Sequence, residues 1–412
     1  MQALVIGAGP AGLMAAQELA QAGHSVTMAE AMPTPARKFL MAGKSGLNLT
    51  KDEPAADFAA RIDSPATPGT HATLTVQHLR QMVHDFGPDQ VMSWAQDLGI
   101  ALFTGSTGRV FPVGMKASPL LRSWLARLTA QGVSLRTRWR WQGFANDGTL
   151  DFATPEGPRR IAAQITVLAL GGASWPRLGS DAAWLPWLED CGIRIAPFQP
   201  ANMGIRVGWT PAMARFFGQA VKGTALHAGG LSSRGEWVIA RHGAEGGGIY
   251  EIASALRDGA AGRIDLTPDL DHATLTNRLT RPRGKLSVGN WLRRILSDPV
   301  RTALLMEWGQ PLPRDPAMLA ALIKALPIRH DGPTGLDRAI SSAGGIGLDA
   351  LSPDLELTAL PGTFATGEML DWEAPTGGYL LTTCLATGRH AGRAAARLLT
   401  TGAASSLPKY PG

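Results

Sequence analysis

Six residues near the start of the chain, Gly7-Ala8-Gly9-Pro10-Ala11-Gly12, carry the spacing that a phosphate-binding turn needs. Gly7 allows a sharp turn, Gly9 lets the backbone approach a pyrophosphate, and Gly12 lets a helix pack closely on a strand. A pyrophosphate seated there meets the unpaired N–H groups and the positive end of the helix. Glu30 stands 18 residues beyond Gly12, where a carboxylate accepts hydrogen bonds from a ribose diol. The surrounding pattern supplies the elements that hold these groups. Ala3 to Ile6 is continuously apolar, as in a strand buried on both faces. Leu13 to Ala22 has helical periodicity with Gly23 as its C-cap, and Ser25 to Ala29 reads as a second strand. This βαβ unit predicts dinucleotide binding; the bland alternative is an ordinary glycine-rich turn.

A second constellation discriminates between dinucleotides. Thr363 to Thr366 reads as a strand delivering Gly367 and Glu368, and Thr376-Gly377-Gly378-Tyr379-Leu380 opens the last helix. A carboxylate at Glu368 suits a ribityl hydroxyl. The N–H groups of Gly378 and Tyr379 suit a flavin pyrimidine ring, because a helix N-terminus favours the negative charge of reduced flavin. A nicotinamide dinucleotide has no ribityl chain and needs no second site, so the pair of glycine-lined turns points to FAD. A plain loop before a helix is the alternative for Gly377-Gly378.

The chain has 412 residues, enough for two or three domains, and its 45% hydrophobic and 17% charged residues suit a sizeable core. Leu74 to Leu98 reads as helical with a break near Gly87-Pro88, and Pro119 to Gln131 as a helix. Ser134 to Phe152 reads as antiparallel strands around Asn146-Asp147-Gly148, and Ile165 to Leu170 as a buried strand running into Gly171-Gly172. From about Ile193 to His330 short strands give way to helical stretches, Trp291 to Trp308 and Ala317 to Leu326, an inserted domain with a β part and a helical part. A final helix runs from Gly378 to Leu399. The expected domains are residues 1–192 and 336–412, two parts of one FAD-binding domain, and residues 193–335, the insert.

Cys191 and Cys384 form no Cys-x-x-Cys, which argues against a disulfide framework, a zinc site or a redox dithiol and fits a reduced cytoplasmic compartment. No metal ligand set is expected. The first residues lack the basic flank of a signal peptide, and no apolar run reaches the ~20 residues that span a bilayer, so no membrane partner is expected. Neither Gly-x-Ser-x-Gly nor His-Glu-x-x-His occurs, so serine-hydrolase and zincin chemistry have no support. Net charge is +6, and ten basic residues fall between Arg278 and Arg329: Arg278, Arg281, Arg283, Lys285, Arg293, Arg294, Arg301, Arg314, Lys324 and Arg329. Such a stretch attracts an anion, RNA or a phosphate-bearing cofactor among them, or is a solvated helical face. Glu245-Gly-Gly-Gly248-Ile-Tyr250 suits close approach to a ligand or a tight turn feeding a helix.

Met1 to Glu30, Gly367-Glu368 and the Gly-Gly helix together resemble the glutathione-reductase-type FAD fold. Three further segments resemble one branch of it, the BaiN/YhiN-like (aminoacetone-oxidase-type) flavoproteins: Arg37-Lys38 to Gly43 through Asn48-Leu-Thr50, Leu170-Gly171-Gly172 to Pro176, and Ala343-Gly-Gly-Ile346 through Asp371 to Gly378. The resemblance covers nearly the whole chain and is weakest in the insert. It implies an α/β architecture: a Rossmann-like three-layer FAD-binding domain, with a parallel sheet and a β-meander, assembled from both chain ends, plus an inserted β-barrel-like domain with a helical subdomain. It also implies non-covalent FAD, held in part by Arg37, Lys38, Asn48, Leu170, Gly171 and Gly172. Members are described as steroid-type reductases, amine oxidases and enzymes reducing uridine in ribosomal RNA, so the resemblance fixes no substrate.

One departure matters. Where many members read Gly-Gly-Gly-Arg-Cys-Asn, this chain reads Lys44-Ser45-Gly46-Leu47-Asn48, so a mechanism through that thiol or guanidinium does not carry over. Lys44 restores the charge from a neighbouring position or is a solvated loop lysine. Arg109, in Gly105-Ser-Thr-Gly-Arg109-Val-Phe-Pro112, meets a substrate or an NAD(P)H phosphate, or pairs with a carboxylate. With Tyr379, these are the candidate catalytic residues. The leading expectation is an FAD-dependent, NAD(P)H-linked oxidoreductase that transfers a hydride from flavin to a small-molecule substrate. The alternatives are reduction of uridine in ribosomal RNA docked on the 278–329 stretch, and a sensory flavoprotein without turnover. Oligomeric state is left open.

Overall fold

The computed structural model describes residues 1–44, 46–64 and 74–402. They form two compact units, residues 1–199 with 341–412 and residues 200–340. Among the described residues no helix is long and apolar enough to cross a membrane.

The first unit is built on a five-stranded parallel sheet of Ala3–Ile6, Val26–Glu30, Ser134–Thr137, Ile165–Leu168 and Thr363–Ala365. In chain order they lie fifth, fourth, first, second, third, with Val5 opposite both Val167 and Met28. The order reverses at the first strand, and ligands of such sheets bind where it reverses, beyond the carboxyl ends of the strands. Ala3, Leu4, Val5, Ile165 and Val167 are fully buried, which explains the unbroken apolar runs. Ser134–Thr137 departs from the expected antiparallel pairing: it runs parallel to Val26–Glu30 as the sheet edge. The meander is instead Arg140–Phe144, Leu150–Thr154 and Gly157–Ile161, and Asn146-Asp147-Gly148 does lie in its first turn.

Helix Pro10–Gln21 lies against the terminal helix Tyr379–Thr400 at a distance only small residues permit. A Cβ on Gly388 would come 2.3 Å from the Ala11 carbonyl oxygen, and one on Gly392 2.7 Å from that of Ala15. Glu18 closes the contact with Arg393, 2.6 Å away. One face of Pro10–Gln21 also buries Gln17, whose Oε1 accepts from Trp124 Nε1 at 2.9 Å. These contacts tie the first and last helices of the chain into one layer.

The second unit has two four-stranded antiparallel sheets and a helical part. One sheet orders Ile205–Arg206, Gly243–Glu245, Trp237–Ala240, Ala220–Val221; the other orders Leu231–Ser233, Ala225–Ala228, Gly262–Asp265, Leu326–Pro327. No ladder among the described residues closes them into the expected barrel. Strands of two to four residues are too short to carry the stagger that closure requires, and the chain passes between sheets at Lys222-Gly223-Thr224. The stretch expected as one helix from Trp291 to Trp308 is two, Val288–Leu296 and Pro299–Trp308. Ser297 turns left-handed (φ 55°) and Asp298 caps the next helix by accepting from Val300 and Arg301 N–H groups. The glycines of 246–248 serve packing: Gly246 (φ 109°) feeds the short helix Gly247–Tyr250, and a Cβ on Gly248 would lie 2.2 Å from the Gly235 carbonyl oxygen.

Candidate active site

The glycines of the first turn divide by what surrounds them. Gly7 has φ 101°, and a Cβ there would sit 2.2 Å from the Ala169 carbonyl oxygen. One on Gly12 would sit 2.0 Å from the Gly7 carbonyl oxygen, so this glycine sets the approach of helix to strand. Gly9 has an ordinary backbone, φ −80°, and a Cβ there would meet no protein atom within 4 Å. It borders a cleft at the point where the sheet order reverses. Of the residues expected from sequence, Gly7, Gly9, Pro10, Ala11, Glu30, Arg37, Lys38, Leu170, Gly171, Gly367 and Glu368 line this cleft. Ala8, Gly12 and Gly172 support it from behind: Ala8 N–H donates to Glu30 Oε2 at 2.9 Å, and a Cβ on Gly172 would strike Ser342 Oγ at 2.1 Å.

Glu30 accepts a second bond from Met32 N–H at 2.8 Å. Burial raises its pKa, against the pull of those two amides and of Arg140 and Arg37. The opposite wall is an ion pair. Lys38 Nζ donates to Glu368 Oε1 at 2.7 Å and to Ser174 Oγ at 2.6 Å, while Glu368 also accepts from Ser342 N–H at 3.1 Å. The cleft encloses about 130 Å³ with this pair formed. Pockets that bury drug-sized ligands hold roughly 300–1,000 Å³, so a dinucleotide enters only if lining side chains part.

Sequence reasoning missed two aromatic residues here. Trp139 and Trp141 line the cleft next to Glu30, and Trp139 N–H donates to the Glu30 carbonyl oxygen at 2.9 Å. Trp141 is 3% exposed, packed edge-on to Phe144 and Trp187, and its Nε1 has no hydrogen-bond partner. The Trp-x-Trp spacing directly after the edge strand was the available signal.

The second glycine turn gathers a separate group. Gly377 (φ 124°) and Gly378 (φ 100°) precede helix Tyr379–Thr400, and a Cβ on Gly378 would lie 2.4 Å from Thr50 Cα. Thr382 Oγ1 bonds Thr50 Oγ1 at 2.9 Å, so strand Thr50–Lys51 is pinned to this helix start. Thr376 and Leu380 flank the turn half-buried. Arg109 pairs across this small sheet with Lys51, and its Nε lies 3.8 Å from where a Gly377 Cβ would stand. Tyr379 O–H donates to Glu53 Oε1 at 2.5 Å and accepts from Lys51 Nζ at 3.1 Å. Burial and Glu53 raise the Tyr379 pKa; Lys51 is pulled down by burial but carried up by Glu53 and Tyr379. Lys51 and Glu53 were not legible as site residues, since two charges in a polar loop read as solvated.

Lys44 does not join that group. It is exposed, and its carbonyl oxygen accepts from Lys116 Nζ at 3.0 Å. Its neighbour Ser45 lies outside the described residues. The departure at Gly46 and Leu47 has a local cause: Gly46 has φ 144°, where a side chain is strained, and Leu47 is 2% exposed in the core. Asn48 is half-buried with Oδ1 unpartnered. In the insert, Arg301 is spent on the Lys222 and Leu266 carbonyls and Lys324 on those of Thr267 and Leu270. The other eight basic side chains of the 278–329 stretch are exposed.

A family model described as the HI0933-like protein Rossmann domain matches residues 1–394. The chain belongs to the HI0933-like family. This is a family of FAD-dependent oxidoreductases, and the chain is such an enzyme. It is 25% identical over 416 residues to a 3-dehydro-bile acid delta(4,6)-reductase of Clostridium scindens, covering 95% of this chain and 98% of that one. It is 23% identical over 396 residues to a ribosomal RNA dihydrouridine synthase of Escherichia coli, covering 92% and 93%. Among solved structures it shares its fold with the 3-ketosteroid-delta4-(5alpha)-dehydrogenase of Rhodococcus jostii RHA1, with TM-score 0.51, 15% identity and 96% coverage of each chain. It likewise resembles a flavocytochrome c3 fumarate reductase, with TM-score 0.51, 15% identity, 97% of this chain and 78% of that one.

The residues of this HI0933-like chain fit the cofactor its family implies. A cradle open only at Gly9, an unpartnered Trp141 Nε1 and an unpartnered, buried Arg37 Nε all border the one cleft. Buried donors without partners cost about 1–3 kcal/mol each, a cost a ligand with phosphate and ring acceptors removes.

Proposed function

We propose that this chain uses NAD(P)H to reduce FAD and passes the electrons to an unsaturated small molecule. When bound, FAD supplies the redox chemistry, accepting two electrons from a donor and giving them to an acceptor. The chain's residues hold and tune it. Gly9 and the first amides of helix Pro10–Gln21 receive the pyrophosphate, and Glu30 a ribose diol. Lys38 and Glu368, paired with each other at the cleft, would supply an ammonium for phosphate oxygens and a carboxylate for the ribityl chain. The Gly378 and Tyr379 amides receive the flavin pyrimidine.

Tyr379, Lys51 and Glu53 form a chain of exchangeable protons. The raised pKa of Tyr379 keeps its phenol protonated at neutral pH; Lys51, which donates to the phenol oxygen, restores a proton it gives up, and Glu53 accepts from the phenol and holds the ammonium in place. Arg109 stands beside this group as the cation for an anionic portion of substrate or donor. The observation that carries the reading is the Gly9 cradle, space the fold leaves open where a phosphate needs backbone N–H groups. The alignment of nearly the full length with a reductase of unsaturated bile acids supports an unsaturated small molecule as substrate.

Purified protein should be yellow and release FAD on denaturation, and anaerobic NADPH or NADH should bleach it. A colourless protein that releases no flavin rejects the reading; a yellow one that neither nucleotide bleaches rejects the donor. A second reading, reduction of uridine in ribosomal RNA, is favoured by the eight exposed basic side chains of the insert and by the name of the Escherichia coli relative. It requires RNA affinity that falls steeply as salt rises.

A further inference from the structure

Outside the cofactor cleft, and sharing Arg37 and Leu178 with it, lies a groove of about 400 Å³ that the proposed reaction leaves unused. It is lined by three cationic side chains, Arg37, Lys44 and Lys116, and by none that is acidic. Like charges held around one space repel, and the repulsion is relieved when an anion enters. One of the three cations is tied to the groove wall. Lys116 donates to the Lys44 carbonyl oxygen at 3.0 Å, which fixes the two loops against each other and leaves two further N–H bonds on its ammonium. Gly43 packs on Ala117 so closely that a Cβ would lie 2.5 Å from the Ala117 Cβ, which brings the amino end of the 14-residue helix Ala117–Ala130 to the groove wall. That end has no side-chain cap and no acidic residue in its first turn, and Ser118 adds a hydroxyl.

We infer that this groove is a phosphate subsite beside the cofactor cleft, formed by Arg37, Lys44, Lys116 and the start of helix Ala117–Ala130. It takes the phosphate of a small molecule that takes part in the flavin reaction. Two sources share this chemistry: a phosphate of the nicotinamide donor, and a phosphate carried by the substrate. The inference rests on the proposed flavin function, since a site that shares Arg37 and Leu178 with the cofactor cleft serves this reaction only if flavin occupies the cleft.

The test uses the flavin-loaded protein and the variants Lys116→Met and Lys116→Arg. Titration with inorganic phosphate at constant ionic strength, followed calorimetrically, should give one site. Lys116→Met should weaken it about fivefold or more, as expected for losing one charged hydrogen-bond donor, and Lys116→Arg should restore it. Flavin content, read from the visible spectrum, should stay at the wild-type level in both. A rise in KM for NADPH but not NADH in Lys116→Met assigns the phosphate to the donor. Unchanged KM for both, with phosphate binding lost, assigns it to the substrate. A yellow protein with no phosphate site, or one whose site is indifferent to Lys116→Met, overturns the inference and leaves the flavin reading standing; a colourless protein overturns both.

Discussion

Gly9→Ala and Gly12→Ala differ by one methyl group each and should fail in opposite ways. At Gly9 the backbone (φ −80°, ψ 178°) is one any residue adopts, and the added carbon meets no protein atom within 4 Å. The flavin-free protein should therefore change stability by no more than about 1 kcal/mol, with any shift towards stabilisation because alanine restricts the unfolded chain. The same methyl stands in the space proposed for the pyrophosphate and pushes it off the helix amides. Losing one or two charge-assisted bonds, at roughly 1.5–3 kcal/mol each, weakens FAD about a hundredfold. At Gly12 the carbon falls 2.0 Å from the Gly7 carbonyl oxygen and 3.1 Å from Ala169 Cβ, so helix and strand must separate. Overpacking of that kind costs about 1–3 kcal/mol before any ligand is considered. Thermal unfolding of the flavin-free proteins measures the first quantity, and quenching of flavin fluorescence on titration measures the second. Gly9→Ala that binds FAD like wild type, or that melts earlier than Gly12→Ala, would refute the division of roles between the two glycines.

Trp141→Phe keeps the packing against Phe144 and Trp187 and removes only the unpartnered Nε1 donor, so FAD should bind about tenfold more weakly while the flavin-free protein melts no earlier. Equal FAD affinity in wild type and variant would remove Trp141 from the cofactor site. Asp371 is 1% exposed, and burial raises its pKa to about 6 although Arg194 pulls it back; Ser64 and the Gly344 amide lie near without reaching hydrogen-bond geometry. Because the folded value is the higher one, the acid's contribution is fully present below its unfolded pKa and is lost as pH rises through about 6. The loss amounts to about 3 kcal/mol, so Asp371→Asn should match wild type near pH 4 and exceed it in denaturant resistance near pH 8. A difference that stays constant across that range would show that Asp371 is not held neutral by burial.

The first turn was legible because local sequence and fold ask the same thing of it: Gly7 and Gly12 serve the strand–helix contact, and Gly9 is left open on the cleft, where the ligand is proposed to sit. Glu30 was legible for a related reason, since the length of one helix and one strand puts it at the sheet's carboxyl edge. Glu368 was legible as a cleft carboxylate, whereas Lys38 and Ser342, far away in sequence, were not legible as the groups that hold its oxygens. The Tyr379 network was hidden for the same reason, because Glu53 and Tyr379 are 326 positions apart. The single helix expected over Trp291 to Trp308 was a different failure. Ser297-Asp298-Pro299 carries a full stop and start signal, and hydrophobic periodicity on both sides outweighed it. The barrel came from resemblance alone, and hydrogen-bond ladders that stop after two residues are invisible to it.

Both halves of the proposed cofactor site depend on contacts that are backbone to backbone. Helix Tyr379–Thr400 touches the first helix through Gly388 and Gly392, and touches strand Thr50–Lys51 through Gly378. The last helix is thus the rigid link between the phosphate-binding turn and the group around Tyr379. A side chain at any of the three glycines would shift that helix against one partner while the other contacts resisted. Cofactor affinity and the placing of Tyr379 would then change together, although none of the three glycines carries a group that does chemistry. That coupling is also why the function could be read at family level and not at the level of substrate. The parts proposed to hold flavin are constrained by close packing and leave a signature in glycine. The parts proposed to meet a substrate, Arg109, Lys51 and Glu53, are held by polar contacts that many sequences satisfy, and they leave no comparable mark.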